Sequence, residues 1–103
     1  MKCPSYTLFS VVSNETRWKL IKKLYKSEMT VSDLCTAIDE EQSKVSHSLK
    51  VLLDCNLVFS RREGKHIVYS LNKKTTRMLI KVINQHTKEY CKNRCCKKEV
   101  KKK

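Results

Sequence analysis

The sequence predicts a mainly α-helical fold with one small β-hairpin. Its 103 residues contain a single glycine and a single proline, so we expect long helices joined by short turns. Apolar residues recur at helical spacing through most of the chain. The pattern changes to alternation between residues 57 and 71, which indicates two strands.

Length and charge limit the class of protein. The chain is long enough for one domain, which we expect over residues 1–90, followed by a basic, cysteine-containing tail over residues 91–103. The net charge of +13 comes from 23 Lys and Arg against 10 Asp and Glu, and such an excess favours a polyanionic partner. The N-terminus does not resemble a signal peptide, and no apolar run is long enough for a membrane span. We therefore expect a cytoplasmic protein with no membrane partner and with cysteines as thiols.

The first two helices are predicted on either side of a polar turn. Tyr6, Leu8, Phe9 and Val12 lie at helical spacing, and Ser13 or Asn14 can cap a second helix. The apolar stripe of that second helix consists of Trp18, Leu20, Ile21 and Leu24.

A helix-turn-helix is predicted next. Thr30 or Ser32 can cap its first helix, whose apolar face contains Leu34, Cys35 and Ile38. A polar turn over residues 39–41 leads into a helix that buries Val45, Leu49, Leu52 and Leu53 and ends at Cys55 and Asn56.

The hairpin and a final helix complete the expected architecture. Strands are predicted over residues 57–62 and 66–71, with a turn over residues 63–65. A last helix begins near Lys73 and runs into the basic tail. The order helix, helix, helix-turn-helix, hairpin, helix is that of a winged helix-turn-helix, in which the hairpin is the wing.

Four stretches of the chain together resemble the ArsR/SmtB family of metal-responsive winged-helix transcriptional repressors. They cover residues 8–17, 30–34, 45–52 and 56–71. Two positions depart from the family pattern: Ser48 stands where the recognition helix usually has His, with His47 one position earlier, and Asn56 replaces a Gly. The resemblance implies a homodimeric repressor that binds a double-stranded DNA operator and needs no cofactor to do so.

DNA contacts are expected from the polar face of the recognition helix and from the wing. A recognition helix presents polar side chains to base edges while its other face packs on the core. On the helix these are Ser43, Lys44, Ser46, His47 and Lys50. On the wing, phosphate or minor-groove contacts are expected from Arg61, Arg62, Lys65 and His66.

The resemblance also implies a dimer interface built from the first and last helices. Its expected residues are Tyr6, Phe9, Met78, Leu79, Val82 and Ile83. A dimer sets two recognition helices about one DNA turn, roughly 34 Å, apart.

Cysteines are the remaining candidates for an effector site. One common family site is absent because Thr30 and Ser32 occupy its cysteine positions, and His86 with Glu89 matches only half of another. The three thiols of Cys91, Cys95 and Cys96 suit a thiophilic ion such as As(III) or Cd(II), and Cys55 is a weaker candidate. Inert thiols in a basic tail are the competing interpretation.

Three alternatives to a metal-responsive repressor remain open at the level of sequence. The first is a repressor that responds to thiol oxidation, and the second is a DNA-binding protein without any ligand. The third is a winged-helix module that binds RNA or a protein. An enzyme is not expected, since no Ser-His-Asp set, phosphate-binding Gly loop or carboxylate pair is apparent.

Overall fold

A computed structural model describes the backbone of residues 5–90 and the side chains from residue 8 onward. It confirms the predicted fold class, with helices before, within and after a small antiparallel sheet. The elements in chain order are α1 (Ser5–Val12), α2 (Glu15–Lys26), β1 (Met29–Thr30), α3 (Val31–Ile38), α4 (Gln42–Asp54), β2 (Val58–Glu63), β3 (His66–Leu71) and α5 (Lys73–Tyr90).

The junction of α1 and α2 is fixed by two local hydrogen bonds. The Asn14 side chain accepts from the backbone N–H of Arg17 at 3.0 Å, so Asn14 is the N-cap that the sequence allowed. Arg17 then donates through Nε to the carbonyl of Val11 at 2.7 Å, which satisfies a carbonyl at the end of α1.

The helix-turn-helix begins with a complete capping box. Thr30 accepts from the backbone of Asp33, and the Asp33 carboxylate accepts from the backbone of Thr30. Asp39 is the C-cap of α3, and its backbone is in the left-handed region with φ 57°. Only residues 39–41 separate α3 from α4, so the predicted short turn is confirmed.

The core lies where α2, α3, α4 and the sheet meet. Leu20, Leu34 and Leu52 are completely buried there, together with Val45. Removing one such side chain from water stabilises the fold by about 1.5–3 kcal/mol. These contacts hold α4 against α2 and α3, leaving the remaining side of α4 outward.

The sheet has three strands rather than the two predicted. Strand β1 pairs antiparallel with β3, which places the strands in the order β1-β3-β2. A strand of two residues carries no detectable alternation, so the sequence could not reveal it. The predicted turn over 63–65 was also one residue too long, because Glu63 pairs with His66 and only Gly64 and Lys65 connect the strands.

The chain after Lys73 belongs to a second compact unit. Its described part, residues 74–90, is helix α5 without its first residue, and Thr76 and Ile80 are buried in it. Within residues 5–90, no helix has the length and apolar character that a membrane span requires. The boundary expected at residue 90 coincides with the end of the described chain and stays a prediction.

Candidate nucleic-acid interface

Helix α4 exposes a polar stripe along one side. Ser43, Ser46, His47 and Lys50 follow the spacing of three, four and seven residues that aligns side chains on a helix, and all four are exposed. Lys44 is exposed beside them. The structure therefore brings all five predicted recognition-helix residues to the surface.

The opposite side of α4 fixes the direction of that stripe. Val45, Leu49 and Leu52 are at most 1% exposed, and Ser48 is 5% exposed. The expectation that Leu53 completes the inward face was wrong in this detail, since Leu53 is only half-buried and Ser48 takes that place. Ser48 lies on the inward arc beside Leu52, so the residue that departs from the family pattern is part of the buried face.

Ser43 in the stripe and Lys44 beside it have acidic neighbours just before α4. The Lys44 ammonium lies 3.4 Å from a carboxylate oxygen of Glu40, and Ser43 donates to Glu41 at 3.3 Å. Ion pairs as exposed as that of Lys44 contribute little net stability, because water and salt screen them. Lys44 can therefore exchange Glu40 for a phosphate at small cost.

The wing is the hairpin of β2 and β3. Its two connecting residues begin with Gly64 at φ 62°, the pattern of a type II′ hairpin turn, for which glycine is the suitable residue. Lys65 and His66 at this tip are exposed, as predicted. Arg61 and Arg62 are consecutive on β2, so their side chains leave the sheet on opposite faces.

Arg61 is held by two carboxylates. Its Nη2 donates to Glu28 at 2.7 Å and to Glu63 at 2.8 Å, and its Nε donates to Glu63 at 3.0 Å. The hydrogen bond from Arg61 lowers the pKa of Glu28 despite partial desolvation of that carboxylate. The same bonds, first to Glu28 and then to Glu63, raise the pKa of Arg61.

Sequence reasoning did not identify Glu28 as a partner of the wing. The residue lies 33 positions before Arg61 and carries no local motif. The pairing of β1 with β3 brings Glu28 close to the hairpin, and β1 is not predictable from the sequence.

The residues expected at a dimer interface lie on two helices, α1 and α5. On α5, Met78 and Val82 are one helical turn apart and are 69% and 63% exposed, and Leu79 and Ile83 beside them are half-buried. On α1, Phe9 is 62% exposed. Tyr6 is in α1, but its side chain lies outside the described residues.

Two of the cysteine thiols lie within the described residues. Cys35 and Cys55 are half-buried thiols on α3 and at the end of α4. No three His, Cys, Asp or Glu side chains between residues 8 and 90 form a group that could hold a metal ion. The predicted ligands Cys91, Cys95 and Cys96 lie outside the described residues. His86 contacts the ring of Tyr90, with centroids 5.1 Å apart.

Comparison with known proteins assigns this architecture to a family. The sequence profile of the bacterial regulatory proteins of the arsR family matches residues 14–60, which run from the cap of α2 into the wing. An arsenical resistance operon repressor of Escherichia coli is 34% identical over 79 residues, covering 76% of this chain and 68% of that protein. The chain belongs to the arsR family. As a member of this family it is a DNA-binding transcription regulator, not an enzyme.

The arsR-family chain is also similar to a second relative in sequence and to a crystal structure in fold. A homologue of the cadmium resistance regulatory protein CadC from Staphylococcus aureus is 29% identical over 83 residues, covering 80% of this chain and 69% of that one. The crystal structure of Rv0081 from Mycobacterium tuberculosis superposes with a TM-score of 0.79 over 90% of this chain and 98% of that chain, at 23% identity, which shows the fold. The chain spans about half to two thirds of the length of the first relatives it matches.

Proposed function

We propose that the chain is a homodimeric transcriptional repressor that inserts α4 into the major groove of an operator. The observation that carries this proposal is the division of α4 into a buried apolar side and an exposed stripe of Ser43, Ser46, His47 and Lys50. A recognition helix needs this division, because one side must be anchored while the other meets base edges.

The contacts divide between reading bases and positioning the protein. Ser46 and His47, near the middle of the stripe, are suited to hydrogen bonds with base edges, and Ser43 stands at the end that enters the groove first. Lys44 and Lys50 suit phosphates or guanine edges. On the wing, Arg62, Lys65 and His66 are the proposed contacts to the flanking backbone or minor groove. Arg61 differs from them because it is already bonded to Glu28 and Glu63.

The proposed dimer uses Phe9, Met78, Leu79, Val82 and Ile83, together with Tyr6. Two large apolar side chains one turn apart and more than half exposed favour a protein partner over water. Replacing Val82 by Glu should shift the chain toward monomer in sedimentation velocity. Asn84→Glu on the opposite side of α5 is the matched control. Equal sedimentation of all three proteins would exclude Val82 from the interface.

DNA binding itself is tested by fluorescence anisotropy on duplex from upstream of the chain's own gene. We expect saturable binding that requires two symmetric half-sites and weakens when His47 is replaced by Ala. Binding to single-stranded RNA of the same sequence with equal affinity would favour the alternative of an RNA-binding module. Indifference to half-site symmetry would argue against a dimeric repressor.

A thiophilic ion is the proposed effector, held by Cys91, Cys95 and Cys96. Support comes from the three thiols within six residues and from the relatives named for arsenical and cadmium resistance. Thiolates bind such ions in preference to hard cations. Cys55 would need ligands from beyond residues 8–90, since no suitable group is found there.

The effector is tested by adding As(III), Cd(II) or Zn(II) to the reduced complex with DNA. Release by As(III) or Cd(II) that disappears in a variant with Ser at all three tail cysteines would support the proposal. A Cys55→Ser variant with unchanged release would remove Cys55 from the site. Release by peroxide alone would favour the thiol redox alternative, and indifference to every reagent would favour ligand-independent binding. A repressor acts where the DNA lies, so this proposal places the chain in the cytoplasm.

A further inference from the structure

The outer face of the sheet joins the wing to the segment between α2 and α3. Arg61 on β2 lies opposite Val68 on β3, and Val68 lies opposite Thr30 on β1. Because side chains alternate along a strand, Arg61, Glu63 and Thr30 share a face, and Glu28 continues that face before β1. The Arg61 side chain thus crosses over β3 to reach Glu28.

The contacts of Arg61 use the fork of its guanidinium. Nη2 bridges Glu28 and Glu63, while Nε donates again to Glu63, giving three hydrogen bonds of 2.7–3.0 Å. A planar guanidinium loses less freedom per hydrogen bond than an ammonium would, because its donors are fixed relative to one another. One side chain therefore connects residues 33 positions apart in the sequence.

The charges of this cluster argue against a phosphate contact by Arg61. The guanidinium and the two carboxylates of Glu28 and Glu63 sum to a net charge of −1. Moving Arg61 to a phosphate would leave two carboxylates without their cation beside the polyanion. Arg62 leaves the opposite face of β2, and no ion pair found among residues 8–90 involves it.

We propose that Arg61 is a positioning residue that ties the wing to Glu28 and does not itself neutralise a DNA phosphate. The tie fixes the hairpin relative to the segment that leads into the helix-turn-helix. It thereby sets where Arg62, Lys65 and His66 meet the duplex. The DNA part of this inference rests on the proposed function, whereas the tie exists without DNA.

The first test measures the tie in the free protein. Amide hydrogen exchange is followed at residues 64–67 in the wild type, Arg61→Met, Glu28→Gln and the double variant. We expect exchange to quicken about two- to fivefold in either single variant, the range for exposed ion pairs, with no further gain in the double variant. Arg62→Met is the matched control and should exchange like the wild type. Unchanged exchange in Arg61→Met and Glu28→Gln would overturn the tie.

The second test separates positioning from phosphate contact on operator DNA. The slope of log affinity against log salt is negative, and each lost phosphate contact reduces its magnitude by about 0.9, or by about 1.8 per dimer. We expect Arg62→Met to show that change and Arg61→Met to keep the wild-type slope while binding about two- to fivefold less tightly. Glu28→Gln should weaken binding similarly, although it removes a negative charge.

The two interpretations predict opposite effects of Glu28→Gln on DNA affinity, and this difference decides between them. If Arg61 contacted phosphate, Arg61→Met would reduce the magnitude of the salt slope as Arg62→Met does. Glu28→Gln would then strengthen DNA binding by releasing the guanidinium. That pair of outcomes would refute the proposal. If the wild type bound no duplex, the proposed function would fail, and the exchange measurement would still decide whether Arg61 ties the wing.

Discussion

Replacing Lys50 by Met should weaken operator binding, most strongly at low salt, and should make that binding less dependent on salt concentration. Lys50 is exposed at the end of the polar stripe of α4, while Leu49 beside it is buried. Methionine keeps the length and helix propensity of the side chain and removes the charge. The variant therefore tests charge without disturbing the core.

The size of the effect follows from counterion release. One phosphate contact per protomer is lost, two per dimer, so the negative slope of log affinity against log salt should become smaller in magnitude by about 1.8. Between about 50 and about 200 mM salt, that difference alters the ratio of wild-type to variant affinity about twelvefold. The ratio should be largest at low salt.

Fluorescence anisotropy at several salt concentrations measures both slopes. Lys22→Met is the control, because Lys22 is exposed on α2 and the substitution removes the same charge outside the proposed interface. Equal slopes for Lys50→Met and the wild type would refute a phosphate contact by Lys50. Equal losses in both variants would show that only net charge matters.

Three further predictions concern the elements that position the interface. Leu49→Ala should lower the free energy of unfolding by about 2–5 kcal/mol in urea titrations, since Leu49 is 1% exposed. Ser46→Ala on the outer side should change it by less than about 0.5 kcal/mol. Similar losses in the two variants would contradict the burial pattern. Thr30→Ala should cost about 0.5–2 kcal/mol by removing the capping box, and Thr30→Ser should recover most of it; no recovery would assign the loss to packing. The Glu28–Arg61 pair should contribute a constant amount to the free energy of unfolding above about pH 4.5, the usual pKa of the carboxyl. Its contribution should decline below that pH, because the pKa of Glu28 is lowered in the folded state and the carboxylate becomes protonated in acid. The difference in melting temperature between wild type and Glu28→Gln should therefore shrink as the pH is lowered, and a difference that does not shrink in acid would show that the carboxylate charge is not its source.

Local features of the structure could be predicted because their physics is local. Asn14 and Thr30 are N-caps by virtue of side chains that reach backbone N–H groups three residues away. The left-handed conformation of Asn56 follows from its place after a helical stripe, where asparagine tolerates φ of 59°. The polar stripe of α4 was predictable for the same reason, since helical spacing fixes which side chains face together.

Some details within α4 required the packing. A pattern of leucines favoured Leu53 as an inward residue, but Ser48 is buried and Leu53 is not fully so. The reason is rotational: the inward arc is centred between Val45 and Leu52, and Ser48 is nearer its middle than Leu53. Hydrophobicity alone ranks these two residues in the wrong order.

By itself, the sequence determined the order of helices and hairpin, the exposed face of the recognition helix and the family to which the chain belongs. Periodicity, capping and alternation act over a few residues, so they can be read without coordinates. The tertiary structure alone decided the third strand and the partners of Arg61. Both depend on the pairing of β1 with β3, in which Met29 lies opposite Tyr69, some 40 positions later in the chain. A strand of two residues has too little local β-preference for this pairing to be predicted from the sequence.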